Sequence, residues 1–442
     1  MEFLNIDAAC DARPFIIDNC HFPDLFVPAI HKGETAQSHY FFPSGGQSVV
    51  SLRVCLKGEE DQCNREMTHI KEKWSIDGSR FPYEQTGNQW WEYCLAPHSY
   101  LPVGNHQIQI GLNFFNRFLH ADFVSRSAQW VDPGVDDEML STTNGFDEKT
   151  GDIWFASWPV EATVRRMINP RDNVRVTIWK LNMRQKNVTQ VWQGNLGDSL
   201  HQVALNADQR FLVVTELGLY SEEVAGSETL DLPGSVEGRK RNRELIPSQT
   251  LFLNLKTGDE WRLPIVTAGH VEFDPEEQDT CYISGHNIGL MGVKVGIFGP
   301  GVIKKIIMGK NGPVNAGEFS HPDFHRITTH IVFRHRDKIL IGVTGYPDKI
   351  FLIDAAAMTL FKIIELDKGE KVEASGTPHI CRQDSYGITA SQDGEFIMAA
   401  GTGFISVASI EEGRFSFKKE TDDFSAGSSF TGHLGMMKSS KV

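Results

Sequence analysis

One short unit recurs along the chain and constrains the fold more than any other feature of the sequence. In each copy an alternation of apolar and polar residues runs into an acidic or glycine-containing turn, and a second apolar run follows, as in VALNADQRFLVV. Alternation with a period of two is typical of half-buried β-strands, and two such runs around a turn predict a hairpin. The predicted turns are centred on Gly46, Asp77, Asp147, Asp208, Glu277, Asp337 and Asp393.

The spacing of these turns predicts the architecture. From Asp147 onward consecutive turns are 61, 69, 60 and 56 residues apart, which is enough chain for a four-stranded antiparallel sheet with one extended loop. No stretch predicts an amphipathic helix longer than about three turns. The sequence therefore predicts an all-β fold, a seven-bladed β-propeller, with six blades as the alternative because the turns at Gly46 and Asp77 stand close together.

The two ends of the chain are expected to complete the ring. We expect residues 1–30 to contribute to closure and residues 31–442 to form the propeller as a single domain. The tail SSFTGHLGMMKSS is expected to return beside the N-terminal segment, since propellers hide their edge strands in this way.

Composition excludes several classes of partner and site. The net charge of −14 argues against a protein that binds nucleic acid or an anionic membrane, because both require a surplus of Lys and Arg. Seven cysteines without a CxxC pair fit reduced thiols better than a disulfide framework or a zinc site. The N-terminus lacks a basic and apolar signal pattern, so we expect a cytoplasmic protein, with secretion of a processed form left open.

Histidines recur at a fixed distance before the predicted turns. Counting back seven residues from the turns places His39, His201, His270 and His330 at four of the seven positions, and Tyr386 at a fifth. The first strand of each propeller blade lines the central channel, so residues in one register would converge there.

Two interpretations of these histidines stay open. They either supply a general base and bind a divalent metal, or they brace each blade by a hydrogen bond to its neighbour. On the first interpretation we assign His330 and His270 as bases, Tyr386 as the acid, and His39 and His201 as ligands of calcium or manganese.

Arginines and a tryptophan are the candidates for substrate binding. Arginine pairs with carboxylates through two hydrogen bonds, so Arg166, Arg326 and Arg382 are candidate ligands of an acidic sugar. Trp91 is a candidate sugar-stacking platform. The alternatives are surface positions for the arginines and packing between blades for the tryptophan.

Several segments resemble the oligogalacturonate lyases, a family of seven-bladed β-propeller polysaccharide lyases. AGHVEFDPEEQDTCYISGHN is similar to that family's Gly-His, strand, turn, strand, Cys-His segment, and THIVFRHRDKILIGVT resembles its Thr-His blade start. SHYFFPSGG and YGITASQDGEFIMAAG are looser counterparts. The resemblance implies that His330 is the base. The sequence departs from the family at Tyr386 and Gly387, where a metal-binding histidine is expected, and at Val293 and Lys294, near the expected substrate arginine.

The sequence thus predicts a lyase that cleaves a uronate-containing glycan by β-elimination. Its partner would be an acidic oligosaccharide, and we expect a monomer. Three alternatives stay open: a metal-dependent oxygenase, since four histidines around a propeller axis resemble the iron site of carotenoid-cleaving oxygenases; a cofactor-free cyclase or isomerase; and a non-catalytic interaction propeller.

Overall fold

A computed structural model provides the structure of the chain. It describes residues 13–14, 16–20, 26–27, 38–41, 47–51, 53–54, 97–103, 107–112, 118–122, 127–135, 138–147, 149–159, 174–196, 200–216, 219–224, 242–266, 268–285, 288–291, 294–297, 301–324, 326–346, 349–365, 385–391, 393–401, 404–420 and 435–438. Within these ranges the regular structure is entirely β-strand, which confirms the predicted all-β fold. None of the described residues forms a helix that could cross a membrane.

The strands are short, as the alternating apolar runs predict. The first ten are β1 (Arg13–Pro14), β2 (Ile16–Cys20), β3 (Phe26–Val27), β4 (Ser38–Phe41), β5 (Gln47–Ser51), β6 (Arg53–Val54), β7 (Pro97–Pro102), β8 (Gln107–Leu112), β9 (Phe118–Asp122) and β10 (Ser127–Asp132). The next nine are β11 (Glu138–Asp147), β12 (Asp152–Pro159), β13 (Val174–Asn182), β14 (Asn187–Leu196), β15 (Leu200–Leu205), β16 (Phe211–Glu216), β17 (Leu219–Val224), β18 (Asn242–Asn254) and β19 (Glu260–Val266).

The C-terminal half continues in the same way. Its strands are β20 (Ala268–Phe273), β21 (Thr280–Gly285), β22 (Ile288–Met291), β23 (Lys294–Ile297), β24 (Val302–Gly309), β25 (Gly312–Phe319), β26 (Arg326–His335), β27 (Lys338–Tyr346), β28 (Lys349–Asp354), β29 (Thr359–Glu365), β30 (Ser385–Ala390), β31 (Phe396–Gly401), β32 (Phe404–Ser409), β33 (Arg414–Glu420) and β34 (Gly435–Lys438).

Most of these strands form antiparallel groups of four. The groups are β7-β8-β9-β10, β11-β12-β13-β14, β15-β16-β18-β19, β20-β21-β24-β25, β26-β27-β28-β29 and β30-β31-β32-β33. A single parallel bridge between Thr143 and Val203 links the second and third groups. The strands β4, β5 and β34 form a three-stranded sheet, and β3 with β6 and β22 with β23 form two-stranded ribbons. The first strands of consecutive groups, β7, β11, β15, β20, β26 and β30, lie next to one another.

Apolar layers fill the spaces between consecutive sheets. Neighbouring residues of one strand point to opposite faces, so Val213 and Val214 of β16 pack against different sheets, as do Tyr282 and Ile283 of β21. The described residues form five such layers, which contain, in chain order, the pairs Phe118 and Phe155, Ala156 and Val214, Val213 and Ile283, Tyr282 and Val343, and Leu352 and Ile397. The protein core is therefore a series of sheet-on-sheet contacts.

The predicted hairpin turns are confirmed wherever the structure describes them. Asp147, Asp208, Glu277, Asp337 and Asp393 each lie where the first strand of a sheet turns into the second. Gly46 and Asp77 lie outside the described residues. The hairpin that joins β7 and β8, closed by a hydrogen bond from the Val103 amide to the Gln107 carbonyl, was not predicted, although Gly104-Asn105 is a typical turn sequence.

The turns differ in length, and this shifts the strands relative to one another. Asn206 pairs with Phe211 around four residues, and Asp274 pairs with Thr280 around five. In contrast, His335 pairs with Lys338 around only two residues, with Arg336 at a φ of 55°. Two residues that lie the same number of residues before a turn therefore do not occupy equivalent positions in the strand ladder.

Both ends of the chain pair with strands distant in sequence. In the N-terminal 30 residues, β1 pairs with β14 and β2 pairs with β10, each at the outer edge of a four-stranded group. At the other end, β34 pairs with β5 through Gly435 to Lys438. Three outer or open edges are thus covered by segments of the same chain.

Candidate functional site

A β-bulge near the beginning of the first strand recurs in the four-stranded sheets. At each bulge two residues of the first strand stand opposite one residue of the second. The bulges are His98-Ser99 opposite Gly111, His201-Gln202 opposite Thr215, Gly269-His270 opposite Ser284, Thr328-Thr329 opposite Thr344, and Tyr386-Gly387 opposite Ala400. The ladder of β11 is also irregular between Thr142 and Phe146.

The positions of the bulges show that the histidines do not share the one position in the strand ladder that the sequence predicted. His201 holds the first bulge position of its strand, and His270 holds the second. His330 lies one residue beyond its bulge and pairs with Val343, as Val271 pairs with Ile283. The three histidines thus occupy three successive positions of the strand ladder. They differ because the turns that follow their strands differ in length, so the same distance from the turn in sequence reaches a different position.

The bulge position also contains a histidine that the sequence analysis missed. His98 holds the first bulge position of β7, as His201 and Tyr386 do in β15 and β30. The signal was the segment PHSYLP, in which a histidine precedes an apolar alternation, just as it does in LHQVAL. It was overlooked because no turn was predicted near Gly104.

Hydroxyl groups of the second strands hold the bulges. The hydroxyls of Thr215, Ser284 and Thr344 lie 3.4, 3.3 and 3.3 Å from the carbonyl oxygens of Gln202, His270 and Thr329, the second residue of each bulge. Thr215 Oγ1 also lies 2.5 Å from the carbonyl oxygen of Gly269 in the adjacent sheet. A small hydroxyl residue opposite each of these bulges thus fixes the backbone at one end of the first strand.

His270 is bound by groups from two sheets. Its side chain is 8% exposed, and its Nδ1 lies 3.0 Å from Gln202 Oε1 on β15. The same Gln202 oxygen accepts a hydrogen bond of 2.8 Å from the Val271 amide. The His270 amide donates to Ser284 Oγ at 2.9 Å. The ring is therefore held at the junction between β15 and β20.

His330 is more deeply buried and serves as a contact between sheets. It is 1% exposed, and its Nε2 lies 3.1 Å from the carbonyl oxygen of Tyr282 on β21. Because a carbonyl only accepts, Nε2 carries the proton, and within the described part of the chain Nδ1 has no hydrogen-bond partner. Burial lowers the pKa of His330 to about 4, although the hydrogen bond to Tyr282 opposes this shift. His330 is thus neutral at pH 7.

The two predicted bases are close to each other. The ring centroids of His270 and His330 are 6.5 Å apart, and the rings meet edge to face at 81°. The contact of His330 with Tyr282 matches the bracing interpretation of the histidines. His335 acts similarly, since its Nδ1 lies 2.6 Å from the carbonyl oxygen of Gly394 in the turn of the next sheet.

The remaining predicted site residues cannot be placed at side-chain level. The backbones of His39 (β4), His201 (β15), Arg326 (β26) and Tyr386 (β30) are described, but their side chains lie outside the described part of the structure. Trp91, Arg166 and Arg382 lie outside the described residues altogether. Arg326 begins β26 and so stands at the same end of its strand as the bulge.

A metal centre is not assembled by the part of the chain that is described. Within it, no three His, Cys, Asp or Glu residues lie together in a way that could hold a metal ion. The side chains of His39 and His201, the predicted ligands of calcium or manganese, lie outside the described part of the structure, so this metal site stays a prediction.

Comparison with known proteins gives no assignment. No protein-family model matches the chain, and no curated protein matches it in sequence. The resemblance to oligogalacturonate lyases therefore consists of the short sequence segments quoted above and stays a prediction.

Proposed function

We propose that the chain is a seven-bladed β-propeller enzyme that removes a proton from carbon, and that it is a lyase of uronate-containing glycans. The fold part of this proposal is supported by six four-stranded sheets that follow one another in the chain with their first strands adjacent. The pairing of β34 with β5 supports a seventh blade completed by the C-terminus.

The position of His270 supports the catalytic part most directly. It lies in a bulge at the end of a first strand, and bulges are frequent next to active sites, where they re-aim a side chain. Its Nδ1 is held by Gln202, as expected for a base that a second group orients. His330, at 1% exposure and with a strongly lowered pKa, is less suited to meet a substrate. We therefore assign the base to His270 and a supporting position to His330.

The proposed reaction is a β-elimination at a uronate. His270 takes the proton from C5, the electron pair forms the double bond between C4 and C5, and the C4–O bond breaks. The leaving oxygen receives a proton from Tyr386, whose backbone occupies the bulge of β30. Arg326, at the beginning of β26, would bind the substrate carboxylate and stabilise the charge that develops next to C5.

Two variants test the assignment of the base. His270→Ala and His330→Val are assayed on oligosaccharides of galacturonate, glucuronate and mannuronate by the ultraviolet absorbance of the unsaturated product. We expect His270→Ala to lose activity by about 10²- to 10⁴-fold, the usual contribution of a general base. His330→Val is expected to stay within tenfold of the wild type.

The controls separate folding from chemistry. Both variants are compared with the wild type by circular dichroism and thermal melting, since His330 contributes to packing. Full activity in a folded His270→Ala protein would refute the assignment of the base. A wild type that forms no unsaturated product from any of the three uronates would refute the lyase.

A second candidate is a cofactor-free isomerase or cyclase for a small apolar substrate. The observation in its favour is that the buried His330 pairs with Val343 and contacts Tyr282, and both of these residues belong to one apolar layer between two sheets. Competition binding distinguishes the candidates. An apolar dye that binds the folded protein and is not displaced by uronate oligosaccharides favours the isomerase, and displacement by them favours the lyase.

A further inference from the structure

The orientation of the Gln202 side chain follows from its backbone partner. The Val271 amide donates a hydrogen bond of 2.8 Å to one atom of the Gln202 side-chain amide. An N–H group donates and only the oxygen of a side-chain amide accepts, so the atom that faces β20 must be Oε1. The amide thus cannot be flipped without placing two donors against each other.

This orientation determines the protonation of the His270 ring. The same oxygen lies 3.0 Å from His270 Nδ1, and two acceptors do not form a hydrogen bond. His270 Nδ1 must therefore carry a proton, and the lone pair of the neutral ring is on Nε2. His330 has the opposite arrangement, with its proton on Nε2 towards Tyr282.

Gln202 is itself held in place by β16. Its backbone N–H donates to Thr215 Oγ1 at 3.2 Å, and the Thr215 hydroxyl lies 2.5 Å from the carbonyl oxygen of Gly269, the residue before His270. Thr215 is fully buried. The Thr215 hydroxyl thus holds the backbone of Gln202 and of Gly269, and the Gln202 side chain continues the contact to the His270 ring across two sheets.

We propose that Gln202 is a positioning residue that holds His270 in the tautomer with the proton on Nδ1, so that Nε2 is the atom that accepts the substrate proton. This inference rests on the proposed function for the role of Nε2, but the tautomer itself does not depend on activity. The groups that face the His270 ring include the neutral amide of Gln202 from β15 and the imidazole of His330 from β26.

The test measures the tautomer directly in the full-length protein. Two-bond ¹H–¹⁵N spectra of protein labelled with ¹⁵N-histidine distinguish the Nδ1–H from the Nε2–H form, and His270→Ala assigns the signals. Gln202→Leu removes both acceptor contacts, whereas Gln202→Glu keeps an acceptor towards both donors. Gln185→Leu, in the exposed turn between β13 and β14, is the matched control.

We expect the wild type, Gln202→Glu and Gln185→Leu to show the Nδ1–H form, and Gln202→Leu to show a mixture with the Nε2–H form. Gln202→Glu should also move the acidic limb of the activity profile to higher pH by about one unit or more, because a carboxylate stabilises the imidazolium that must be deprotonated first. An unchanged Nδ1–H signal in Gln202→Leu would overturn the inference.

The same data separate the two proposals. If Gln202→Leu does not fold, the wild-type and Gln202→Glu spectra still decide, since an Nε2–H form in either contradicts the inference. If the tautomers are as expected and the wild type acts on no uronate, the positioning role stands and the lyase does not.

Discussion

His330 occupies in β26 the position that Val271 occupies in the adjacent β20. Both residues lie one step beyond the bulge, and each pairs with an apolar residue of the second strand, Val343 and Ile283 respectively. Val203 holds the same position in β15, opposite Val214. One sheet thus places an imidazole where its neighbours place an isopropyl group.

The native histidine at this position makes the stability of the protein depend on pH. The folded pKa of His330, about 4, lies below the ordinary histidine value of 6.5, so the unfolded chain binds the proton more readily. The contribution of neutral His330 is complete above about pH 6.5 and is lost as the pH falls towards 4. It amounts to about 3 kcal/mol at 1.36 kcal/mol per pKa unit.

We expect His330→Val to lose this part of the pH dependence. Urea unfolding of the wild type and the variant is measured between pH 7.5 and 4, and the difference in unfolding free energy is plotted against pH. The wild type should lose stability relative to the variant by up to about 3 kcal/mol on acidification. Parallel curves for the two proteins would show that His330 is not buried as a neutral ring.

A pair of glycines tests the contact between the last two four-stranded sheets. Gly394 and Gly134 have nearly equal positive φ values, 69° and 68°, so alanine strains both backbones by about 1 to 2 kcal/mol. A Cβ at Gly394 would also overlap the carbonyl oxygen of Arg334, whereas one at Gly134 meets nothing within 4 Å. Gly394→Ala should therefore cost ~3 kcal/mol more than Gly134→Ala in urea unfolding. Equal losses would indicate that the two sheets are not in this contact.

The hydroxyls at the bulges are expected to differ in importance. Thr344→Val removes the 3.3 Å contact with the Thr329 carbonyl oxygen of the same sheet and should cost about 1 kcal/mol. Thr215→Val removes the contacts with Gln202 and with Gly269 of the next sheet, and should cost about 2 to 3 kcal/mol. Chemical denaturation of both variants gives the comparison, and a larger loss in Thr344→Val would contradict the assigned hydrogen bonds.

The Gln109 side chain is expected to destabilise the folded protein. It is fully buried in β8 opposite Leu101, and among the residues that the structure describes neither atom of its side-chain amide has a hydrogen-bond partner. Gln109→Leu should therefore be neutral or stabilise the protein by about 1 to 2 kcal/mol, because an unsatisfied buried amide is removed. Gln202→Leu is the contrast, since that side chain accepts two hydrogen bonds and its loss should destabilise. Thermal melting of both variants ranks them.

The sequence predicted the strands and turns well because they follow local rules. Alternation in QRFLVVTE and KILIGVTG is a property of neighbouring residues, and Asp208 and Asp393 lie in turns for local hydrogen-bonding reasons, as when Asp208 accepts from the Arg210 amide. The same rules would have indicated the hairpin that joins β7 and β8, since Gly104-Asn105 is a typical turn sequence, but it was overlooked.

The candidate site was predicted less completely because it depends on contacts between sheets. His270 was found, but its partner Gln202 lies 68 residues earlier and carries no local signal. His330 was assigned to the wrong ladder position because turn length, two residues against four or five, is decided by the folded hairpin. Whether a histidine faces a cavity or a neighbouring sheet is likewise a property of packing.

The pairing of β34 with β5 has a consequence for how the protein is made. The strand Gly435–Lys438 is synthesised more than 380 residues after its partner Gln47–Ser51. During translation β5 therefore lacks this neighbour until residues 435–438 have left the ribosome. Ribosome-bound nascent chains stopped before residue 435 should leave that edge open to chaperones or to other nascent chains, and release of a chain that includes residues 435–438 should close it.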